Sequence, residues 1–545
     1  MSLRVRPFPD LPEGTAQLAR QIARKGNIYI ALGDRIGQVF DDDDFRDLYP
    51  LQGEPALSPA QLVLVLIFQA LEGLSDREAA DAVGWRIDWK YALHLGLEDR
   101  GFDFSVLSEF RDRLVRHGAA QRVLDRVLER LRALDMLQER GRQRTDASYV
   151  LSAAAALNRL ELAWESMRVT LESLAQVAPD WLRGVAQPHW VKRYALTWRG
   201  SRLPKQKEER AALAAAIGED GAHLLAAGRA TGAPDEVMTC PALGILQQIW
   251  EQQYEQGPAG WHWRPAGALP AGAELIQTPY DPETRYGEHR AQTWKGYTVH
   301  VTETCDPDKP RLITHVEVTP ATVPETQVLD GIHRSLQESG CLPATHLADA
   351  GYVVGHTLQE SAQNYGVDLV GPARESTSWQ TVAGAFTPEQ FQIDWEQKHA
   401  ICPEGQTSCV WSESHTVFDT PVVHIVFPRV ACCSCPSRSR CTRARNGRTL
   451  NLSPCFDYLV KARRRQQTAE FAALYAQRAG IEGTISEAVR KHGARASRYF
   501  GLKKTALQET LVAAAIDLER AVRWLTGVKP EGTRPSRFAD LMAVA

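Results

Sequence analysis

The sequence predicts an α/β protein in which a helical N-terminal part precedes a core built on a sheet, and three observations carry that prediction. Apolar residues recur at helical spacing in several short segments before residue 140. Two runs that alternate with period two, Gly296 to Thr304 and Arg311 to Thr319, flank an Asp-Pro-Asp-Lys-Pro turn. A helical pattern from Glu325 to Glu338 then leads into a short strand, Thr345 to Ala348, that ends on Asp349.

Taken in order, the first clear helix starts at Ser58-Pro59. A hydroxyl able to cap free N–H groups precedes a proline whose missing N–H is harmless in a first turn, and Leu62, Leu66 and Leu71 follow. Ser75-Asp-Arg-Glu78 is a capping box that opens a helix towards Val83. Ser105 to Leu114 leads into Val123, Leu124, Val127, Leu131 and Leu134, again a one-sided stripe. This series suits a helix-turn-helix-like DNA-binding module and suits a small helical bundle equally. Thr145 to Leu151, with Asp146 inside it, reads as a first strand, after which residues 153–256 return to a helical pattern. Trp, Cys, Pro and Ser accumulate between 376 and 455, where small β-structure is expected, and helices resume from about Gln466 to Lys491 and from Gly501 to Leu525. Strand, hairpin, helix and a strand ending on a carboxylate form the outline of a ribonuclease-H-like core. The expected division is therefore a helical N-terminal domain at 1–140 and a first part of the core at 141–375 carrying the helical insertion 153–256. A Cys-rich insertion at 376–455, a second part of the core at 456–528 and a loose tail at 529–545 complete it.

Composition narrows the function classes. With 44% hydrophobic and 24% charged residues the chain is neither disordered nor fibrous. Its most apolar run, Leu62 to Phe68, falls far short of the roughly 20 residues of a membrane-spanning helix, and no apolar stretch follows the first basic residues. A cytoplasmic protein without a membrane partner is expected. The net charge of -3 conceals a segregation: residues 438–504, closing on Lys503 and Lys504, hold 16 Lys and Arg against 4 Asp and Glu. Such a block is either a solvated face or a footprint for phosphates.

Phosphoryl transfer assisted by two divalent cations needs carboxylates from distant segments at one point, because hard cations take oxygen ligands. Asp146 in a strand and Asp349 at a strand end are candidates that a sheet could bring together, although a single Asp is more often a cap or turn residue. In Tyr475-Ala-Gln-Arg478-Ala-Gly-Ile-Glu482 the offsets of three and four put a phenol, a guanidinium and a carboxylate on one helical face, with Glu487 pointing elsewhere. A salt-bridged face has the same spacing. Among ten cysteines, too few for a disulfide scaffold, Cys402, Cys432, Cys435 and Cys441 offer the four thiolates of a tetrahedral zinc site. Cys409, Cys433 and His424 are spares, and buried free thiols are the alternative.

Thr145-Asp146, Trp294-Lys-Gly-Tyr297-Thr-Val-His300, Glu303-Thr-Cys-Asp306, His346-Leu-Ala-Asp349-Ala-Gly-Tyr352 and the Tyr475/Arg478/Glu482 helix together resemble bacterial insertion-sequence transposases of the DDE superfamily. They are most similar to the branch named for insertion sequence eleven-eighty-two, over about residues 28 to 527. The resemblance implies a catalytic triad of Asp146, Asp349 and Glu482 holding Mg²⁺ or Mn²⁺, and DNA as partner, both as terminal inverted repeats and as target. It implies a homodimer when two ends are held together, in the bacterial cytoplasm and on the nucleoid when bound to DNA. Arg478 would serve as a bidentate clamp on phosphate or carboxylate, and Tyr475 either contacts DNA or simply packs. The related signature places a Lys seven residues after the Glu; here that position is Val489, and Arg490 and Lys491 follow it. The family's cysteine pattern selects Cys432 over Cys433 for a structural zinc site. A catalytically inactive or domesticated DNA-binding relative, and a metal-dependent nuclease that does not rejoin strands, share these residues.

Overall fold

Ser58 accepts a hydrogen bond from the Gln61 N–H at 3.2 Å, and Pro59 opens helix α1, Pro59–Glu72, which ends on Gly73 in the left-handed region at φ 71°. The capping box is closed in both directions: the Glu78 N–H donates to the Ser75 hydroxyl, and the Ser75 N–H to the Glu78 carboxylate at 2.7 Å. In this computed structural model the described residues are 2–23, 26–197, 203–257, 260–289, 292–375, 379–381, 384–416, 420–528 and Met542. Apart from Met542, the tail expected at 529–545 lies outside them. Helix α1 departs from the one-sided pattern, since every residue from Leu62 to Gln69 is buried. It packs on a helix from the other end of the chain, described last, which also packs on α2, Ala120–Ala133.

The sheet has six strands. Strand β1 (Arg142–Leu151) is at its centre, β2 (Arg285–His289) and the long β3 (Gln292–Thr304) lie to one side, and β4 (Ile313–Pro320) pairs with β3 beyond β2. β5 (Thr345–Ala348) and β6 (Asp368–Val370) lie to the other side. β1 runs antiparallel to β3 and parallel to β5, and β6 is parallel to β5. The sheet is therefore mixed. Strand β2, strand β6 and the helix Gly355–Tyr365 were not legible in the sequence; the expected hairpin, the helix α3 (Glu325–Glu338) and β5 occur where the pattern put them.

The helices Arg159–Val177, Pro179–Val185, Pro188–Tyr194, Lys207–Arg229 and Pro241–Gln253 close over a core of their own that includes Trp164, Leu224 and Trp250. The Cys-rich segment holds the strands Val410–His415, Pro421–Val426 and Thr449–Leu452 around Phe386, Ile425 and Phe427. The helix expected from Gln466 to Lys491 is broken into α4 (Ala469–Tyr475), a 3-10 turn (Ala476–Ala479) and α5 (Gly480–His492). The cause is Arg144. Its guanidinium takes the Gln477 carbonyl, and a Cβ on Gly480 would lie 2.2 Å from its Nη1, so the helix turns where glycine admits the side chain.

The last long helix, α6 (Leu502–Leu525), packs on α1, α2 and β4. One continuous apolar core joins the N-terminal helices, the sheet and α6, so removing the first 140 residues would strip α6 bare. Among the described residues no helix is long and apolar enough to cross a membrane. Within α6, burial pushes the Glu509 carboxyl up to about 8 from its ordinary 4.5. A carboxyl raised in the folded state binds its proton more tightly there, so its contribution is full below pH 4.5 and is lost as pH climbs to about 8. Glu509→Gln is expected to raise the urea midpoint at pH 8 and to flatten the decline between those values; an unchanged slope would show that Glu509 does not set it.

Candidate active site

Sheet register does most of the assembly. In the parallel pairing of β1 with β5, Thr145 lies opposite Ala348, so the next residues along each strand, Asp146 and Asp349, come side by side. Alternation along β1 sends Thr145 to one face, where its hydroxyl meets Thr302 and His346 at 2.6 Å each, and sends Arg144 and Asp146 to the other. On that second face sit the 3-10 turn and α5.

Arg478, in the turn, places Nη2 2.6 Å from Asp146 and Nη1 3.3 Å from Glu482, joining the two carboxylates through one guanidinium. The side chains of Asp146 and Arg478 are each 15% exposed whereas that of Glu482 is 67% exposed, so Glu482 stands at the rim. Burial raises the Asp146 carboxyl above its usual range; Arg478 opposes this and Asp349 adds to it. Asp349 accepts a hydrogen bond from the Gly351 N–H at 2.9 Å. Tyr475 stacks on Phe471 at 5.5 Å and faces all three carboxylates; burial raises its hydroxyl pKa, with Arg478 working against the shift.

A fourth carboxylate belongs to the same cluster. Glu325, the first residue of α3, is pushed up to about 7 by burial and then by Asp349 and Asp146. Its position in the sequence gave no sign of this, because an acidic residue in a first helical turn is explained by the helix dipole alone. Beneath the cluster the fully buried Tyr352 hydroxyl lies 2.6 Å from Nδ1 of His300, whose pKa burial lowers to about 4.

A second network holds α5 to the sheet. Glu303, wholly buried on β3 and paired in register with Arg144, accepts from Arg144 Nε at 2.7 Å, from the Thr484 hydroxyl at 2.5 Å and from Arg520 Nη1 at 3.1 Å. Glu487 points to Arg520, at 2.7 Å, and into a different cluster. There Glu487, His492 and Glu519 bring their ligand atoms within 4.8 Å of one another. This trio is not a cation site, because Arg520, Lys491 and Arg523 already pair with its two carboxylates.

Among the other cations expected to meet DNA, Lys491 is paired with Glu519 and Lys504 with Asp112 at 2.7 Å, while Arg490 and Lys503 are exposed and without an ion pair among the described residues. Much of the basic block is likewise engaged inside the protein. Arg465 pairs with Asp368 at 2.6 Å, Arg463 with Glu389 at 3.1 Å, and Arg443 and Arg495 lie over Trp379 and Tyr149. A charge count along the sequence does not distinguish such cations from free ones.

Cys402, Cys432, Cys435 and Cys441 line one small cavity with Phe386 and Arg448, while Cys409 and Cys433 are exposed and outside it. The Gln406 N–H donates to the Cys402 sulfur at 3.3 Å and the Arg448 N–H to the Cys432 sulfur at 3.4 Å. The sulfurs stand wider than the expected tetrahedral spacing of about 3.5 to 4 Å: among the described residues no three of them lie within 4.8 Å of one another. Burial raises the Cys441 thiol, with Arg448 working against the shift and Cys432, Cys402 and Cys435 adding to it. His424 instead meets Asn451 at 2.7 Å.

Two family models match the chain. The transposase DDE domain covers residues 401–522 and a transposase domain (DUF772) covers residues 18–113. These matches support an insertion-sequence transposase. The first range contains Glu482 and the four cavity cysteines; Asp146, Asp349 and Glu325 lie outside both, so their place in the site rests on the geometry above. No curated protein matches the chain.

Proposed function

We propose that this chain is an active transposase of the DDE type, of the branch named for insertion sequence eleven-eighty-two, with a ribonuclease-H-like core. In this reading Asp146, Asp349 and Glu482 hold Mg²⁺ or Mn²⁺, and DNA is cut and joined at the ends of a mobile element. The observation that carries it is the register that sets Asp146 beside Asp349 while Arg478 links Asp146 to Glu482. An all-oxygen donor set in a half-buried cleft fits a hard divalent cation. When bound, two such ions stabilise the attacking and leaving oxygens of an in-line displacement at phosphorus.

The protein's own groups do the positioning. Arg478 keeps the carboxylates of Asp146 and Glu482 on a common centre. Tyr475 closes one wall. The cleft beside Gly480, about 450 Å³, presents Arg311 to a phosphate backbone, while its other two cations, Arg144 and Lys309, pair with Glu303 and Asp135. Recognition of element ends falls to the N-terminal helices, and two protomers act together when two ends are held.

The test uses the full chain with Mg²⁺ and a DNA duplex ending in the inverted repeats that flank its gene, supplied with a second duplex as target. Cleaved and joined products are expected. Cleavage without joining would favour the nuclease, and end-specific binding without cleavage would favour an inactive relative.

The cavity cysteines Cys402, Cys432, Cys435 and Cys441 hold a structural zinc in this proposal, closing a segment with a small core of its own. Near one equivalent of zinc is expected in protein purified under reducing, chelator-free conditions. Cys435→Ser with Cys441→Ser should remove it. Content below about half an equivalent in the native chain would leave four ordinary thiols.

A further inference from the structure

Asp349 lies between two residues whose side chains reach back into the core, His346 three positions before it and Tyr352 three after. His346 is wholly buried and uses both ring nitrogens: Nε2 meets the Thr145 hydroxyl at 2.6 Å, and Nδ1 meets Nε2 of His333, on α3, at 2.8 Å. Thr145 also meets Thr302 across the β1–β3 register. His300, opposite Ala147 in that register, lies on the same face as Thr302. It uses both nitrogens too, Nδ1 on the Tyr352 hydroxyl at 2.6 Å and Nε2 on the Thr319 hydroxyl at 3.2 Å. Burial lowers the pKa of all three histidines, so each ring is neutral and has one donor and one acceptor. Two chains of neutral hydrogen bonds, Thr302–Thr145–His346–His333 and Thr319–His300–Tyr352, thus cross a core shared with Val299, Leu329, Ile332 and Ala348. Burying these groups is costly unless they are partnered, and partnered groups specify one register against its neighbours. A one-residue slip of β5 on β1 would part His346 from Thr145 and Asp349 from Asp146 together.

We propose that Thr145, His346, His300 and Tyr352 are positioning residues, which pin the strand end and turn carrying Asp349 to β1 on one side and to β3 on the other. All four are wholly buried, so no substrate reaches them and they act through Asp349. This rests on the transposase reading, which gives Asp349 its part in cleavage. Polar groups that only fill the core would lower stability when truncated and leave the cleavage rate of the folded fraction unchanged. Groups that hold Asp349 set that rate while leaving DNA affinity alone, and their loss loosens the backbone around residue 349 ahead of the rest of the sheet.

The test uses the full-length protein, Mg²⁺ and a duplex ending in the inverted repeats that flank its gene, with Thr145→Val, Thr145→Ser and Tyr352→Phe. Thr170→Val is the control, since it loses buried hydroxyl bonds to the Ser166 and Ala242 carbonyls inside the helical insertion. Thr145→Val and Tyr352→Phe are each expected to lower the single-turnover cleavage rate at saturating DNA at least about 10-fold, because a reacting group displaced by about 1 Å costs on the order of 100-fold. The Kd for DNA should stay within about twofold of native. Thr145→Ser, which restores the hydroxyl, should recover most of the rate. In amide hydrogen exchange without DNA or metal, peptides covering 346–352 should exchange at least about 10-fold faster in Thr145→Val and Tyr352→Phe than in the native chain and the control. The two substitutions act on different chains of hydrogen bonds, so either one decides if the other fails to fold. A native cleavage rate beside a lowered Tm in both would reduce the chains to core packing and overturn the inference, and so would native exchange at 346–352. A native protein that cleaves nothing, with exchange following the expected pattern, would overturn the transposase reading and leave the positioning of Asp349 standing.

Discussion

Replacing Asp146 by alanine is expected to abolish strand cleavage, by at least about 1000-fold, without unfolding the protein. The change removes both oxygens that register brings against Asp349, and a loss of about 4 kcal/mol of transition-state stabilisation corresponds to that factor. The fold itself gives up little: one hydrogen bond from the Ala147 N–H and the pair with Arg478, which keeps Glu482. Because burial already raises the Asp146 carboxyl, its ionised form is held at a cost, and the thermal midpoint of the variant should stay near or above the native one. Gel assay of cleavage in Mg²⁺ beside a melting curve checks both halves. Cleavage at the native rate by Asp146→Ala would end the enzyme reading.

Glu303→Ala should have the opposite profile, a large loss of stability. Glu303 is wholly buried between Arg144, itself 2% exposed, and Arg520, and its removal leaves a buried guanidinium without its counter-charge. Breaking a buried pair in this way costs about 3 to 5 kcal/mol. The lower end is expected because Arg520 retains Glu487 and Arg144 retains the Gln477 carbonyl. Thr484 lies two residues from Glu482, so the same change unties α5 from β3 and should weaken metal-dependent cleavage in whatever fraction still folds. Urea unfolding gives the first quantity; a change below about 1 kcal/mol would mean that water replaces the carboxylate.

Legibility in the sequence followed the range of the forces involved. Caps, turns and period-two strands are written in neighbouring residues, so the Ser75 box, the hairpin around Asp306 and the helix after Pro324 could be read directly. Asp146 and Asp349 could be proposed as a pair because each sits on a strand and strands align. Glu325 could not, since it meets Asp349 only where Gly351, in another segment, leaves room. The break at Gly480 was equally hidden: the helical pattern continues through it, and only an arginine from β1 competes for the Gln477 carbonyl. The basic block was misleading for the same reason, because cations engaged by Asp368, Glu389 or Trp379 look like free ones until the chain folds.

The packing of α6 on α1 and α2 sets when the apolar core can close during synthesis. Lys504 reaches Asp112, Arg498 donates to the Leu74 carbonyl at 2.7 Å, and α6 fills the space between helices made some four hundred residues earlier. A nascent chain halted before Leu502 carries the acidic side chains of the cleft, yet lacks the helix on which α1 and α2 pack. The core therefore closes only once α6 has been made. Any fragment that stops short of Leu502 is left with a core it cannot close.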